Sequence, residues 1–290
     1  MNELSGYRIV AVHAHPDDEA ITTGGALAYF ASRGADVTVI TCTLGEEGEV
    51  IGETYRRLVN DEADQLGGFR IGELSRALEV LGVRGIHLGG AGRFRDSGMA
   101  GSAAADNPRA FVNSGEGAVD ELTGLFERLR PHLVLTYGPD GGYGHPDHIR
   151  AHEITHAAAR RVPVPRILWA VHSRAELDEG LAAIEEIPVG WRRSGDGELA
   201  AVEKVDAWLE LDDELYHRKR EAMRAHATQL WIADGGISAT NPQAAYAQAP
   251  DVVYALSNLI AQPIMRREHY QFGAGVPLAG TTDLLAGIER

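Results

Sequence analysis

Short apolar runs alternate with amphipathic stretches along the first 170 residues of the chain. The apolar runs have the length and composition of buried strands, and they span residues 8–14, 37–43, 86–88 and 132–137. The stretches between them repeat apolar residues at helical spacing, which predicts helices over 25–32, 55–66, 71–81, 118–129 and 146–160. Strands that alternate with helices predict an α/β fold, with a mostly parallel sheet and helices on both faces.

The alternation becomes less regular in the last part of the chain. Residues 205–211 alternate as a half-buried strand does, and residues 213–229 have the periodicity of a helix. This change predicts two units: an α/β domain over residues 1–170, and a smaller C-terminal α+β subdomain over residues 171–290.

The composition is that of a globular protein in water, with 290 residues of which 44% are hydrophobic and 24% charged. The net charge of −15 argues against a nucleic-acid partner, because phosphate binding needs clustered lysine and arginine. No run approaches the roughly 20 apolar residues of a membrane span, and we see no secretory signal. The single cysteine, Cys42, lies in an apolar run, so we expect a buried thiol and a cytoplasmic location.

One tetrapeptide pattern occurs twice, each time after a predicted strand. Residues 15–18 read His-Pro-Asp-Asp, and residues 145–148 read His-Pro-Asp-His after a glycine-rich turn. Because the carboxyl ends of parallel strands share one rim of a sheet, we expect the two motifs to meet there. Imidazole and carboxylate groups bind zinc, and a catalytic zinc site uses three protein ligands and one water. The repeated motif therefore predicts a catalytic metal site.

The first motif offers a ligand and a base side by side. Pro16 holds His15 in extended geometry at the strand end, and Pro146 suits the first turn of a helix. The arrangement with least strain uses His15, Asp18 and His148 as metal ligands. Asp17 is then the candidate general base for a metal-activated water.

The second motif offers groups for the oxyanion and for the leaving group. If it is protonated and held by Asp147, His145 could stabilise an oxyanion and protonate a leaving amine. Tyr143, in the turn before the motif, could donate a second hydrogen bond to the oxyanion, although a tight turn with a surface ring explains it equally well. These groups together predict metal-assisted hydrolysis of an amide or ester.

Three further histidines lie near the motifs, and we do not expect them to bind metal. His13 falls within a buried strand and is expected to be a packed or supporting residue. His152 and His156 are four residues apart on a predicted helix but have no further ligand nearby, so we expect them at the surface.

Charged residues in loops of the same rim are candidate substrate contacts. Glu49, Arg70 and Asp96 would suit a ligand with hydroxyl or phosphate groups. Two long polar segments, residues 89–113 and 189–200, are predicted loops over the rim, and loops of this length are often lids or binding loops.

The motifs resemble those of the LmbE-like, or PIG-L type, zinc-dependent deacetylases. The resemblance rests on His-Pro-Asp-Asp-Glu at 15–19, the glycine pair at 24–25 and His-Pro-Asp-His at 145–148. It extends along nearly the whole chain, and further matching segments lie at 41–49, 92–98, 142–145, 226–229 and 268–270. Of these, the segments at 41–49, 92–98 and 142–145 most resemble the branch that acts on N-acetylglucosaminyl-inositol in mycothiol biosynthesis.

The resemblance implies a Rossmann-like fold, one zinc per chain, and release of acetate from a small amino-sugar substrate. It implies the same ligands, base and oxyanion groups as above, Asp147 orienting His145, and substrate contacts at Arg70 and Asp96. Residues 171–290 would complete the substrate pocket. Ferrous iron accepts the same ligands as zinc, and the oligomeric state is left open.

Three alternatives remain. The related mycothiol conjugate amidases cleave a larger amide of the same amino sugar, but they tend to carry lysine and proline where this chain has Thr22 and Gly144. Two histidines and a carboxylate also form the iron site of non-haem oxygenases, which usually have β folds. A non-catalytic sugar-binding protein with a structural metal would normally supply four protein ligands.

Overall fold

The computed structural model describes residues 3–278 and 283–290. Its strands, in chain order, are β1 (Arg8–His13), β2 (Asp36–Thr41), β3 (Arg84–His87), β4 (Leu133–Thr136), β5 (Arg166–Val171), β6 (Ala207–Glu210), β7 (Leu230–Ile232), β8 (Val253–Leu256), β9 (Gln262–Pro263) and β10 (Arg267–Gly275). Seven of them form one sheet in the order β3-β2-β1-β4-β5-β10-β6. The first five strands of that order are parallel, and β10 runs antiparallel to both of its neighbours.

Helices cover both faces of this sheet, as the sequence predicts. They are α1 (Asp18–Ser32), α2 (Leu66–Leu81), α3 (Gly115–Leu129), α4 (Pro146–Arg161), α5 (Arg174–Ala182) and α6 (Asp213–Ala225). The apolar sides of α1, α2 and α6 share one core with one face of the sheet, and α3 and α4 bury theirs against the other face. The α/β fold class is therefore confirmed. No helix among the described residues is long and apolar enough to span a membrane.

Several predicted helices differ from the observed ones: α2 begins five residues before its predicted start, and α6 ends four residues before its predicted end. Helix α1 begins at Asp18, seven residues before the predicted start, because its first turn buries carboxylates where the pattern expects apolar side chains. The predicted helix over 55–66 is absent, and only a short 3-10 helix at Arg56–Leu58 forms there. Residues 60–65 are exposed, so a helix at this position would have no face to bury.

The C-terminal part of the chain contributes to the main sheet as well as to a smaller unit. Strands β6 and β10 extend the seven-stranded sheet beyond β5, so the sheet crosses the boundary predicted at residue 170. Strands β7, β8 and β9 form a separate antiparallel sheet with its own small apolar cluster. Within the predicted loop 189–200, Trp191 packs into that cluster.

The strand order places both motifs at one point of the rim. The chain runs from β1 outward to β2 and β3, and then returns to add β4 on the other side of β1. Adjacent strands whose connections leave in opposite directions open a crevice at their carboxyl ends, where α/β proteins bind ligands. Residues 15–18 follow β1, and residues 145–148 follow β4 and start α4. The predicted meeting of the two motifs is confirmed.

Candidate metal centre and active site

Three side chains from the two motifs converge at the rim. Nδ1 of His15 lies 3.3 Å from Nε2 of His148 and 3.4 Å from Oδ2 of Asp18. The third side of this triangle of residues runs from Nε2 of His148 to the other carboxylate oxygen of Asp18, Oδ1, and is also 3.4 Å. All three residues are buried. These are the three residues that the sequence predicts as metal ligands.

The outer nitrogens of the two imidazoles are held by acceptors. Nδ1 of His148 lies 3.1 Å from the carbonyl oxygen of Gly141, which can only accept a hydrogen bond, so this nitrogen carries a proton. Nε2 of His15 lies 3.3 Å from Oδ2 of Asp147. Each ring is therefore oriented with its inner nitrogen facing the other ring and the Asp18 carboxylate. Outer partners of this kind are typical of metal-binding histidines.

The spacing and charge of this cluster fit a divalent metal. Ligands about 2.0–2.1 Å from a tetrahedral zinc lie about 3.3–3.4 Å from one another. This matches the distance between the two inner imidazole nitrogens and the distance from each of them to its nearest carboxylate oxygen of Asp18. Burial opposes protonation of His15, but the charge of Asp96 and the hydrogen bonds of Asp147 and Asp18 raise its pKa well above the ordinary value. The carboxylates thus favour a positive charge at the cluster. A metal cation can supply this charge in place of the proton on His15.

Two further combinations of buried side chains are close enough to hold a metal. One replaces Asp18 with His145, and the other joins His15 to Asp96 and Asp147. In the latter, the carboxylates already accept backbone hydrogen bonds: Gly98 donates to Asp96 at 2.8 Å, and Ser97 donates to Asp147 at 3.0 Å. Their contacts with His15 involve its outer nitrogen, so they suit a supporting role.

Tyr137 is a supporting residue that the sequence analysis missed. Its hydroxyl donates to Oδ2 of Asp18 at 2.7 Å and accepts the Ala14 N–H at 2.8 Å. Its ring stacks on His148, with a centroid distance of 4.2 Å and an interplanar angle of 19°. The only signal in the sequence was its place at the end of a predicted strand that reaches the rim.

Tyr137→Phe is expected to weaken metal binding by about 10–100-fold, the usual cost of removing an outer partner of a metal ligand. The phenylalanine ring keeps the stacking on His148 but no longer donates to Asp18. Metal affinity measured by competition with a chelator checks this expectation. An unchanged affinity would show that Asp18 does not depend on the tyrosine hydroxyl.

Asp17 lies beside the cluster in an unusual backbone conformation. Its Oδ2 is 3.1 Å from Nη2 of Arg70. Burial raises the pKa of Asp17 to about 6; the Arg70 charge opposes this rise and the Asp18 charge adds to it. Its φ of 116° is strained for a residue with a side chain, and such conformations cost on the order of 1–3 kcal/mol and occur mainly at functional sites. A raised pKa beside a metal centre suits a general base.

His145 takes a different state from the predicted one. His145 is the N-cap residue of α4, and its Nδ1 accepts a hydrogen bond from the backbone N–H of Asp147 at 3.1 Å. The proton of the imidazole is therefore on Nε2. Burial, together with the charges of His15 and His148, lowers the pKa of His145 to about 3. The Asp147 carboxylate faces His15 and does not hold His145. A neutral imidazole with a proton on Nε2 can still donate a hydrogen bond to an oxyanion.

Tyr143 lies at the mouth of the site. Its side chain is exposed, and its ring meets the edges of His148 and His145 at centroid distances of 5.0 and 6.0 Å. This position is compatible with the predicted donor role, which stays a prediction.

The three predicted substrate contacts differ in accessibility. Glu49 is exposed in the loop after β2. Arg70 is buried, and its guanidinium donates to the carbonyl oxygens of Pro16 and Gly45. Asp96 is buried as well. Glu49 is the exposed residue of the three, and the substrate contacts of Glu49, Arg70 and Asp96 all stay predictions.

The remaining histidines and the cysteine occupy structural positions. His13 is buried with Nε2 2.9 Å from the Thr23 hydroxyl, and Cys42 is buried, as predicted. His152 and His156 are half-buried, which corrects the predicted surface location. Trp169 donates to Nε2 of His156 at 3.0 Å, so the aromatic side of β5 covers this part of α4.

A comparison with protein families assigns the chain. The family described as PIG-L, GlcNAc-PI de-N-acetylase, matches residues 10–159, slightly more than half of the 290-residue chain. The chain belongs to this family. As a PIG-L family member it is an enzyme of the deacetylase class, and the resemblance seen in its motifs is confirmed.

Several bacterial relatives match this PIG-L enzyme over nearly its whole length. A Corynebacterium efficiens protein is 68% identical over 94% of this chain and 90% of its own length. One from Corynebacterium diphtheriae is 62% identical over 100% of both chains, and one from Rhodococcus jostii is 48% identical over 99% and 97%. Each is named 1D-myo-inositol 2-acetamido-2-deoxy-alpha-D-glucopyranoside deacetylase.

Solved structures of other deacetylases share the fold. An A40926 pseudoaglycone deacetylase is 25% identical, with a TM-score of 0.51 over 76% of this chain and 81% of that one. The N,N'-diacetylchitobiose deacetylase of Pyrococcus horikoshii is 20% identical, with a TM-score of 0.50 over 76% and 69%.

Proposed function

We propose that this enzyme hydrolyses the acetamide of 1D-myo-inositol 2-acetamido-2-deoxy-alpha-D-glucopyranoside, giving acetate and the free amino sugar of mycothiol biosynthesis. The observation that carries this proposal is the triangle of His15, Asp18 and His148 beside the buried carboxyl of Asp17. The near full-length relatives that bear the name of this activity support the choice of substrate.

The metal in this proposal is zinc, held by His15, Asp18 and His148. When bound, it supplies a water of lowered pKa and a positive charge for the acetamide oxygen. Asp96 and Asp147 hold the outer nitrogen of His15. Ferrous iron is the alternative metal, since it accepts the same ligands.

The chain's own residues move the protons of the reaction. Asp17 accepts a proton from the attacking water, which then bonds to the acetamide carbon. His145 donates a hydrogen bond from Nε2 to the carbonyl oxygen as negative charge develops there, and Tyr143 donates a second. When the bond between carbon and nitrogen breaks, the amine takes the proton that Asp17 accepted. Because His145 is neutral, Asp17 supplies this proton in place of the histidine predicted from the sequence.

The value of kcat/KM is expected to fall as the pH decreases through about 6 or below. Protonated Asp17 cannot accept a proton, and its pKa of about 6 is the upper bound for the midpoint of this fall. A metal cation bound to Asp18 would favour the ionised form of Asp17 and so lower the midpoint. A pH profile of acetate release checks this. An additional decline at higher pH that disappears in His145→Ala would instead assign the acid role to His145.

The substrate is tested by comparing acetate release from N-acetylglucosaminyl-inositol with release from free N-acetylglucosamine, alongside cleavage of a mycothiol conjugate. We expect the inositol glycoside to have the highest kcat/KM. Preferred cleavage of the conjugate would instead make the enzyme an amidase of that class. Glu49→Gln is expected to raise KM for the glycoside more than for free N-acetylglucosamine if this exposed carboxylate binds inositol hydroxyls.

Residues 171–290 complete the substrate pocket in this proposal. The supporting observation is that strands β6 and β10 join the catalytic sheet itself. A cytoplasmic location and the lack of nucleic-acid and membrane partners stay predictions from composition.

A further inference from the structure

The backbone of Asp17 is held in its left-handed conformation from both sides. Asp17 precedes α1, with φ 116° and ψ −33°, and its own carbonyl oxygen accepts the first helical hydrogen bonds from Ala20 and Ile21. On one side, the carbonyl oxygen of Pro16 accepts a hydrogen bond from Arg70. On the other side, the N–H of Asp17 donates to Oε2 of Glu19 at 3.0 Å. The peptide that joins Pro16 to Asp17 is therefore fixed at both of its polar atoms.

Arg70 can reach this peptide only because a residue without a side chain, Gly45, lies beside its guanidinium group. Gly45, with φ +65°, would place a Cβ atom 2.0 Å from Nη1 of Arg70 if it carried a side chain. The arginine also donates to the Gly45 carbonyl oxygen at 2.8 Å. Arg70 thus supports the Pro16 side of the peptide, and Glu19 supports the Asp17 side.

Glu19 is in turn held by a histidine from a distant helix end. Nε2 of His226, the C-cap residue that follows α6, lies 2.6 Å from Oε1 of Glu19. Both side chains are 0% exposed. Each carboxylate oxygen of Glu19 therefore has its own partner, Asp17 on one and His226 on the other.

This pair is a poor choice for stability alone. Burying a carboxylate with an imidazole removes both groups from water, and apolar residues of similar volume often stabilise a fold as well or better. Asp18 has separate supports, since Tyr137 and the His15 N–H donate to its carboxylate. Glu19 thus supports the candidate base, Asp17, and the metal ligand Asp18 is held by other residues.

We propose that Glu19 and His226 are positioning residues that hold Asp17 in the conformation required for proton transfer. This inference rests on the proposed role of Asp17 as the general base. Without Glu19, the strained backbone can relax toward an ordinary helix start, which moves the Asp17 carboxylate away from the attacking water. Catalysis depends steeply on such placement, whereas metal binding by the separately supported Asp18 does not.

The test is a double-mutant cycle between positions 19 and 17, read as kcat, KM and metal content. Glu19→Ala is expected to lower kcat by about 10–100-fold, with KM and metal content within about twofold of the parent enzyme. In the Asp17→Asn background, the same change is expected to lower kcat by no more than about twofold. The reason is that Glu19 acts through a base that is already absent. An equal loss in both backgrounds, or loss of metal with activity, would overturn the proposal.

Three further variants separate positioning from a general structural effect. Glu19→Gln is expected to retain most activity, because its amide oxygen can accept from the Asp17 N–H and its amide nitrogen can donate to Nε2 of His226 once the imidazole proton is on Nδ1. Glu19→Asp keeps the charge but is one methylene too short to reach the Asp17 N–H, so it tests the proposal if the alanine variant does not fold. The matched control is Glu73→Ala, since Glu73 is also buried and accepts the N–H and hydroxyl of Thr228 but does not touch Asp17.

In Glu73→Ala we expect kcat to stay near the parent value. A loss of kcat in this control equal to that of Glu19→Ala would show that both losses come from disturbed packing and not from the position of Asp17. A parent enzyme that releases no acetate from the inositol glycoside would contradict the proposed function. An active parent enzyme whose kcat is unchanged in Glu19→Ala would contradict the positioning role alone.

Discussion

Asp17→Asn is expected to lower kcat by about 10²–10⁴-fold while the enzyme keeps its metal. The amide nearly preserves the shape of the side chain and its contact with Arg70, but it cannot accept a proton. Asp17 does not belong to the triangle of His15, Asp18 and His148, so its exchange leaves the ligand atoms in place.

The measurement for Asp17 combines kcat with metal content in the same preparation. Asp17→Glu keeps the acid but moves it by one methylene, so we expect partial activity and the same metal content. Loss of metal from Asp17→Asn comparable to that of a ligand variant would contradict the assignment of Asp17 as the base.

His148→Ala is expected to abolish both metal binding and acetate release. The change removes one corner of the ligand triangle and leaves the buried Asp18 carboxylate with fewer partners. Metal analysis after dialysis against a weak chelator, together with acetate release, checks this expectation.

His156→Ala is the matched control for the ligand variant. His156 lies on the same helix, is half-buried, and is held by Trp169 away from the cluster. We expect this variant to keep its metal and most of its activity. Full metal content in His148→Ala would contradict the proposed ligand set.

The rim and its motifs were predictable because they depend on local patterns. Strands that alternate with helices fix a parallel sheet, and such a sheet brings the ends of β1 and β4 to one crevice. The proline after each motif histidine marks the point where the segment that follows a strand ends and a helix begins. These features place His15 and His148 together without knowledge of any side-chain contact.

The supporting residues were not predictable in the same way. Tyr137 and His226 act through contacts between segments far apart in the chain, 119 and 207 residues for their bonds to Asp18 and Glu19. The sequence gives no distance or direction for such contacts. The start of α1 was misplaced for a related reason, because the carboxylates of its first turn are buried by partners that lie elsewhere in the chain.

The two roles of Asp147 show how cap geometry changes an assignment. The motif suggests that its carboxylate holds His145, since the two residues are close in sequence. At the start of α4, however, the backbone of Asp147 meets His145, and its carboxylate turns to His15 across the crevice. Local proximity along the chain was therefore a poor guide to the partner of this side chain.

The most direct test of the account is reconstitution of the metal-free enzyme with zinc, followed by acetate release from N-acetylglucosaminyl-inositol. We expect activity to rise in proportion to bound zinc and to reach its maximum at one metal per chain, with no activity in His148→Ala at the same total zinc. Full acetate release by the metal-free enzyme, or by His148→Ala, would contradict the claim that the two motifs form the catalytic centre.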